Sequence, residues 1–518
     1  MVTSPHTLAS EAGLAVLEEG GNAIEAAIAT AAAIAVTYPH FCGLGGDAVW
    51  IVADREGRAD TFLGIGQAAG VLPDLADTIP LRGPGSALTT ACALDSWNTA
   101  FAYARDHWSG QRSFASLLDR AIALAEGGFP TTPSQVFWHD FRKAEIGGWP
   151  GFAGLFEPGG RAPAIGERFV QPALAGSLRA IARNGPRDFY EGELAARISE
   201  GLSRAGSPIT ADDLARTATR QEAPLRLDYR DVTLLAPPPP TQGVSTLSIM
   251  GTLRAFAMDQ VSEGSADFYH LCVEAVKQSF LERHRIADPD ASDQPTARWL
   301  SDAVLADQAA AIDPQAALPW PQPFRAGDTV YIGAADAAGR SASLLQSIFY
   351  DWGSGVVAGD TGILWQNRGG AFSLDPASVN VLAPGKRPFY TLNPGIALKD
   401  GRPCLLYGTQ GADGQPQTLS VVLSRLIDHG LDPHEALARP RFLLGRTFSD
   451  NRDSLKIESD VSEAVRSALA ARGHAIAPIP PCNPLAGQAG VIAIAADGSM
   501  RGAHDPRSDG QALGVDDS

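Results

Sequence analysis

With 518 residues, 45% hydrophobic and 19% charged side chains, the chain has the make-up of a soluble globular protein with a large core, in roughly one to three domains. Lys and Arg number 41 against 58 Asp and Glu, a net charge of −17 with no basic run, which excludes an electrostatic footprint for nucleic acid or an anionic membrane. Five scattered cysteines (Cys42, Cys92, Cys272, Cys404 and Cys482) without CxxC spacing argue against a disulfide framework or zinc site, and for free thiols in a reducing compartment.

Residues 7–20 place Leu8, Ala12, Ala15 and Val16 near helical spacing, and Gly20-Gly21 ends the helix they predict. Asn22 caps a second helix reaching Ala35, whose small side chains permit close packing inside a layered structure. The apolar stretch 23–38 contains Glu25, is mostly alanine and has no basic flank. It predicts neither a membrane span nor a signal peptide, and the expected location is cytoplasmic. The loop Pro39-His40-Phe41-Cys42-Gly43-Leu44-Gly45-Gly46-Asp47 leads into a buried strand at 48–53. It lacks the strand-before, helix-after setting of a phosphate or dinucleotide loop.

From about 80 to 320 the pattern is mainly helical, clearest in 112–127 and 171–184. Residues 237–240 (PPPP) with Thr241-Gln242-Gly243 predict a rigid connection into a helix at 244–257. Residues 313–328, rich in Pro, Ala and Gln, read as an exposed linker. A hairpin follows: strand 329–336, turn 337–340 and strand 341–350, with Thr329 as the first strand residue. Segments 395–408, 417–429, 461–472 and 489–497 alternate strand and helix character, and no repeat or low-complexity segment is visible.

Common catalytic signatures (GxSxG, HExxH, GxxxxGK[ST]) are absent. The ten histidines are dispersed; His139, His270 and His429 fall on predicted helices, where surface or satisfied core roles are expected. Asp212-Asp213 reads as a helix-start charge pair. The Gly327-Asp328-Thr329 junction differs, because a hydroxyl residue follows a linker and begins a strand. Such a hydroxyl can attack the preceding carbonyl, and hydrolysis of the resulting ester frees a threonine with both Oγ and an α-amine. That amine, with a pKa near 8, can serve as general base for its own hydroxyl. On spacing alone an ordinary strand threonine remains the alternative.

Several separated segments together resemble the γ-glutamyltranspeptidase family over nearly the whole chain. They are Met1-Val2-Thr3-Ser4-Pro5-His6-Thr7-Leu8-Ala9-Ser10-Glu11-Ala12-Gly13, Gly20-Gly21-Asn22-Ala23-Ile24-Glu25-Ala26-Ala27, Gly43-Leu44-Gly45-Gly46 and 237–240. Gly353-Ser354-Gly355-Val356-Val357-Ala358-Gly359, Gly385-Lys386-Arg387-Pro388 and Asp505-Pro506-Arg507-Ser508 complete the set, and the strand before Asp336 matches the family's self-cleavage segment. The resemblance implies an α+β fold, a four-layer αββα sandwich of the N-terminal-nucleophile hydrolase type. It implies cleavage between Asp328 and Thr329 into a large subunit, 1–328, and a small subunit, 329–518, that associate as a heterodimer and form one αββα unit; further dimerisation stays open. It places the nucleophile on Thr329, its supporting hydroxyl on Ser347 and the oxyanion hole on Gly411 and Ala412. No metal or organic cofactor is required by this chemistry.

The family's α-amino-acid clamp is altered. Its carboxylate-binding arginine falls on Leu63, its amine-binding aspartate on Ala371, its serine pair on Tyr390 and Thr391, and an asparagine near the nucleophile on Phe349. These changes, with Gln346-Ser347-Ile348-Phe349 and Gln366-Asn367-Arg368-Gly369-Gly370-Ala371-Phe372-Ser373, resemble a divergent branch of cephalosporin acylase-like enzymes and oxamate amidohydrolases. Arg368 is then expected to pair with a substrate carboxylate; the alternative is a structural strand-end cation, with no acid visible beside it in sequence. Tyr390 either narrows the pocket toward short acyl groups such as oxamyl or simply packs. The resemblance favours an amidohydrolase of a small, acidic amide, oxamate leading, ahead of a γ-glutamyltransferase or glutathione hydrolase and a non-catalytic binding protein.

Overall fold

A computed structural model describes the chain apart from residues 76, 147, 321–327, 447–451 and 516–518. Its main elements begin with β1 (Val2–Ser4), α1 (Thr7–Glu18), α2 (Ala23–Thr37), β2 (Asp47–Ala53), β3 (Ala59–Gly64) and α3 (Ala93–Trp108). Next come β4 (Arg220–Glu222), β5 (Leu225–Tyr229), β6 (Val232–Ala236), α4 (Gly243–Leu253) and α5 (Ala266–Glu282). The chain closes with β7 (Asp328–Ala335), β8 (Ser341–Phe349), β9 (Gly395–Lys399), β10 (Arg402–Thr409), α6 (Gln415–Ile427), β11 (Ala489–Ile494), β12 (Met500–His504) and β13 (Gln511–Leu513).

Two antiparallel sheets result. One runs β13-β1-β7-β8-β2-β3-β4 and the other β12-β11-β10-β9-β6-β5. Strand alternation sorts their side chains. Trp50 and Val52 of β2, with Val330, Ile332 and Ala334 of β7, join the core shared with α1, α2 and α3. Val49, Ile51, Ala53, Tyr331, Ala335 and Leu345 point the other way, into the seam between the sheets. A further core joins the outer face of the second sheet to α4, α5 and α6. The layers are therefore helix, sheet, sheet, helix, as the resemblance implies, and both sheets draw strands from either side of residue 328.

The helix layer against the first sheet is tight because its residues are small. α2 is buried along its whole length. Its start is a capping box, with Asn22 Oδ1 accepting from Glu25 N at 3.0 Å and Glu25 Oε2 from Asn22 N at 2.9 Å. A Cβ added to Gly13 of α1 would lie 2.1 Å from Thr30 Oγ1, so the two helices meet where one has no side chain.

One sequence expectation changes and another gains detail. The mainly helical 80–320 region contains β4, β5 and β6; β4 and β5 are short edge strands whose outward residues are polar, so their apolar signal is weak. The exposed linker at 313–328 is fastened over its first part. Ala317 N donates to Arg472 O (2.7 Å), Leu318 N to Glu274 Oε2 (3.0 Å) and Lys277 Nζ to Leu318 O (2.6 Å). Residues 321–327 lie outside the described residues. Among the described residues, no helix is long and apolar enough to cross a membrane.

Candidate active site

Thr329, the second residue of β7, is buried. β7 and β8 pair Val330 with Gln346 and Asp328 with Phe349, so Ser347 and Ile348 together oppose Thr329. That is a β-bulge, a device that re-aims a side chain and interrupts the ladder. Period-two alternation places Thr329 with Tyr331, and Ser347 with Leu345, on the seam between the sheets. Ser347 also pairs across β2 with Asp47, on the same face. Its Oγ accepts from Phe349 N at 2.8 Å. Phe349 has φ +81, a left-handed backbone costly for a bulky residue, and so a position held by its surroundings. The approach of β2 is equally close, since a Cβ at Gly46 would lie 2.1 Å from Ser347 O. Of the expected cleavage junction, Gly327 lies outside the described residues.

The ring of Phe349 covers one face of Arg368. The guanidinium carbon lies 3.9 Å from the Phe349 ring centre and 3.7 Å from that of Tyr390. Arg368 opens a 3-10 turn, Arg368–Ala371, and is fully buried. Its Nε, Nη1 and Nη2 have no hydrogen-bond partner among the described residues. Arg425 and Arg441 are as deeply buried, yet each meets a carboxylate, Glu263 at 2.7 Å and Asp505 at 2.5 Å. Arg368 thus differs from these two buried arginines in meeting no carboxylate directly among the described residues. Burial pulls its pKa below the usual arginine value, with Tyr390 and Asp47 opposing that pull.

Asp47 is the acid that a reading of neighbouring sequence misses. Its Oδ1 accepts from Cys92 N (2.8 Å) and Gly66 N (3.0 Å), and its Oδ2 from Tyr390 Oη (2.7 Å). Burial raises the Asp47 pKa, against the hydrogen bonds from Tyr390 and Cys92. Burial also pushes Tyr390 well above the ordinary tyrosine range, so it stays a donor. Tyr390 therefore stacks on Arg368 and ties that stack to Asp47. Its ring joins Val49, Leu63, Ile65, Tyr331, Leu345 and Leu392 in one apolar cluster. Leu63, at the position of the family arginine, is packing here, and Ala371 is buried without a charge. Tyr390→Phe should keep the stack but leave Asp47 Oδ2 without that donor. A loss of about 1–3 kcal/mol in stability is expected, read by urea denaturation; an unshifted midpoint would refute the role given to this bond.

Gly411 and Ala412 lie beyond the end of β10. The strand that leads to them meets β7 across the seam, since a Cβ at Gly408 would lie 2.2 Å from Tyr331 Cδ2. Gly411 has φ +131 and Ala412 φ +46, the latter unusual for a residue with a Cβ. Neither N–H has an acceptor among the described residues. Thr391 is buried, and its carbonyl accepts from Gln242 Nε2 at 2.8 Å.

His139 bonds Glu157 Oε1 at 3.0 Å, and His429 lies just past the end of α6. His270, Glu274 and His474 form a buried group with metal-ligand geometry. Its polar atoms already have protein partners: His270 meets His474 Nε2 (2.9 Å) and Asp313 O (2.8 Å), and the Lys277 ammonium sits 2.7 Å from Glu274 Oε1. The group fastens the segment that leads toward Thr329.

An αββα sandwich with a buried hydroxyl residue near the start of an inner strand beside its seam defines the class: an N-terminal-nucleophile amidohydrolase. The chain belongs to the gamma-glutamyltranspeptidase family, whose sequence model matches residues 9–515. It is 43% identical over 521 residues to the oxamate amidohydrolase proenzyme of Klebsiella pneumoniae, covering 99% of this chain and 98% of that one. It is 40% identical to the glutathione hydrolase-like YwrD proenzyme of Bacillus subtilis, with the same coverage. Among solved structures, cephalosporin acylase from Bacillus halodurans matches with a TM-score of 0.90 at 32% identity, over 98% of this chain and 94% of that one.

Proposed function

We propose that this enzyme hydrolyses a small, acidic amide, oxamate being the leading candidate, through an acyl-enzyme on Thr329. In the precursor, Thr329 Oγ attacks the Asp328 carbonyl carbon, the peptide C–N bond breaks as an ester forms, and water hydrolyses the ester. A large subunit, 1–328, and a small subunit, 329–518, result. They stay together as a heterodimer because both sheets contain strands of each. The freed α-amine, with a pKa of about 8, accepts the Oγ proton as Oγ attacks the substrate amide carbon. Negative charge on the tetrahedral oxygen is met by the Gly411 and Ala412 N–H groups, a contribution of several kcal/mol in such sites, while Ser347 supports the nucleophile. The C–N bond then breaks, ammonia leaves with the proton returned by the amine, and water releases the acyl group as a carboxylate. For oxamate the products are oxalate and ammonia.

The observation that carries this reading is Arg368, a buried cation whose nitrogens have no hydrogen-bond partner among the described residues, boxed between two rings beside the Thr329 bulge. A substrate carboxylate supplies the missing partner. Tyr390, stacked on Arg368, narrows that end and favours a short acyl group, and Thr391 next to it is the other proposed substrate contact. The 43% identical relative is named for oxamate hydrolysis. The buried free thiols of Cys42, Cys92 and Cys272 suit a cytoplasmic setting. A second reading, glutathione hydrolysis, is favoured by the name of the 40% identical relative. Leu63 and Ala371 oppose it, because they leave a γ-glutamyl α-carboxylate and α-amine without the family's charged partners. Ammonia release from oxamate and longer ω-amides, measured beside γ-glutamyl-p-nitroanilide turnover, decides between them. Ammonia from oxamate with negligible nitroaniline is expected; brisk nitroaniline release would sink the first reading.

A further inference from the structure

The segment 237–243 is conspicuous in the sequence, yet no step above uses it. Its Gln242 is fully buried, and its side-chain amide is filled on both sides. Nε2 donates to Ala412 O at 2.7 Å and to Thr391 O at 2.8 Å. Oε1 accepts from Arg283 Nη2 at 2.7 Å and Arg283 Nε at 3.1 Å. With two donors and two lone pairs engaged, only one orientation of the amide satisfies all four contacts. Arg283 in turn ion-pairs with Asp413, the residue after Ala412, and its guanidinium carbon lies 4.8 Å and 4.9 Å from the ring centres of Phe280 and Phe389. The backbone of the same segment grips the other side of the site, for Gln242 N donates to Tyr390 O (2.9 Å) and Tyr390 N to Pro240 O (2.8 Å).

We infer that Gln242, locked by Arg283, is the positioning residue of the oxyanion loop, holding Gly411 and Ala412 in register with the Tyr390-Thr391 segment. The inference rests on the oxyanion role proposed above for Gly411 and Ala412. Ala412 occupies a left-handed conformation that is costly for a residue with a Cβ, so its surroundings hold it there. Gln242 fixes the carbonyl of that residue and Arg283 the side chain of the next, so the peptide plane after the strained position is held from one point, while Gly414 N, donating to Gly411 O at 2.6 Å, holds the plane before it. Donors that are prepositioned for developing charge lose most of their effect when the loop that carries them is free to relax. Gln242 touches no reacting atom and acts through Ala412.

The test compares a tetrahedral mimic with a planar anion. A short carboxyalkylboronic acid adds Thr329 Oγ to boron, the Oγ proton passing to the α-amine, and the tetrahedral boronate places an oxygen in the oxyanion hole. Oxalate engages Arg368 without forming a tetrahedral centre. In Gln242→Met, which keeps the side-chain bulk but makes no hydrogen bonds, boronate affinity should fall about 10- to 100-fold more than oxalate affinity. kcat should fall by a similar factor with KM changed far less. Arg283→Lys, which keeps the charge but loses the paired donors to Oε1, should shift the boronate-to-oxalate ratio the same way by a smaller factor. It also serves if the Gln242 variant does not fold. An unchanged ratio in whichever folded variant is measured overturns the inference. Failure of the unaltered enzyme to bind the boronate would instead overturn the proposed nucleophile and oxyanion hole.

Discussion

Thr329→Ala is expected to give one full-length band on a denaturing gel after prolonged incubation, and to release ammonia at least on the order of a thousandfold more slowly than the unaltered protein. Both losses follow from one deletion. The Oγ that would open the Asp328–Thr329 bond is the atom that would later carry the acyl group, and without cleavage the base never becomes an α-amine. The β-bulge gives the prediction its structural content. Two residues of β8, Ser347 and Ile348, oppose the single Thr329, so this hydroxyl is freed from the regular ladder at a buried seam. Thr329→Ser keeps Oγ and loses the methyl group that restricts χ1. It should therefore cleave and turn over, with reduced rates from a looser nucleophile. Fragments of Thr329→Ala ending at residue 328, or ammonia release by its uncut chain, would disprove the assignment.

The layered fold was legible because its signals are local. Asn22 announces a helix start, and the unbroken apolar run of β2 marks a strand with two buried faces. The edge strands β4 and β5 escaped notice, since a half-solvated strand carries too few apolar residues to break a helical background. In the site, the positions of Thr329, Ser347, Gly411 and Ala412 came from ordered motifs. The countercharge of Arg368 did not, because Asp47 reaches it through Tyr390, and those two are 343 positions apart. The only trace in the sequence is an acid directly after Gly45-Gly46, at the end of a loop in which Gly46 leaves room for the Ser347 carbonyl and Gly45 for that of Leu364. Gln242 and Arg283 were hidden for the same reason. Their partners lie in segments that only the closed sandwich brings together, and neither residue type is diagnostic on a helix or in a turn.

Arg368→Met should separate binding from folding. The substitution keeps an unbranched side chain between the Phe349 and Tyr390 rings and removes the charge. A buried guanidinium that meets no carboxylate directly and has no hydrogen bond among the described residues carries a desolvation cost of several kcal/mol, which its two cation–π contacts and the more distant Asp47 offset only in part. Thermal stability is accordingly expected to hold or rise. Affinity for an anionic amide should collapse, because each charge-assisted hydrogen bond to a carboxylate contributes ~1.5–3 kcal/mol and the planar fork offers two. KM for oxamate should increase by about 100-fold or more, while hydrolysis of a neutral amide of similar size stays within a few-fold of its starting rate. The contrast matters more than either value. A structural cation predicts the opposite pattern, with lost stability and anionic and neutral amides affected alike. Arg368→Lys gives an intermediate case, since an ammonium supplies charge without the fork and stacks less well on aromatic faces. It should recover part of the oxamate affinity. If KM for oxamate in Arg368→Met matched the unaltered enzyme, the buried cation would have no part in recognition, and the acidic-substrate reading would fall with it.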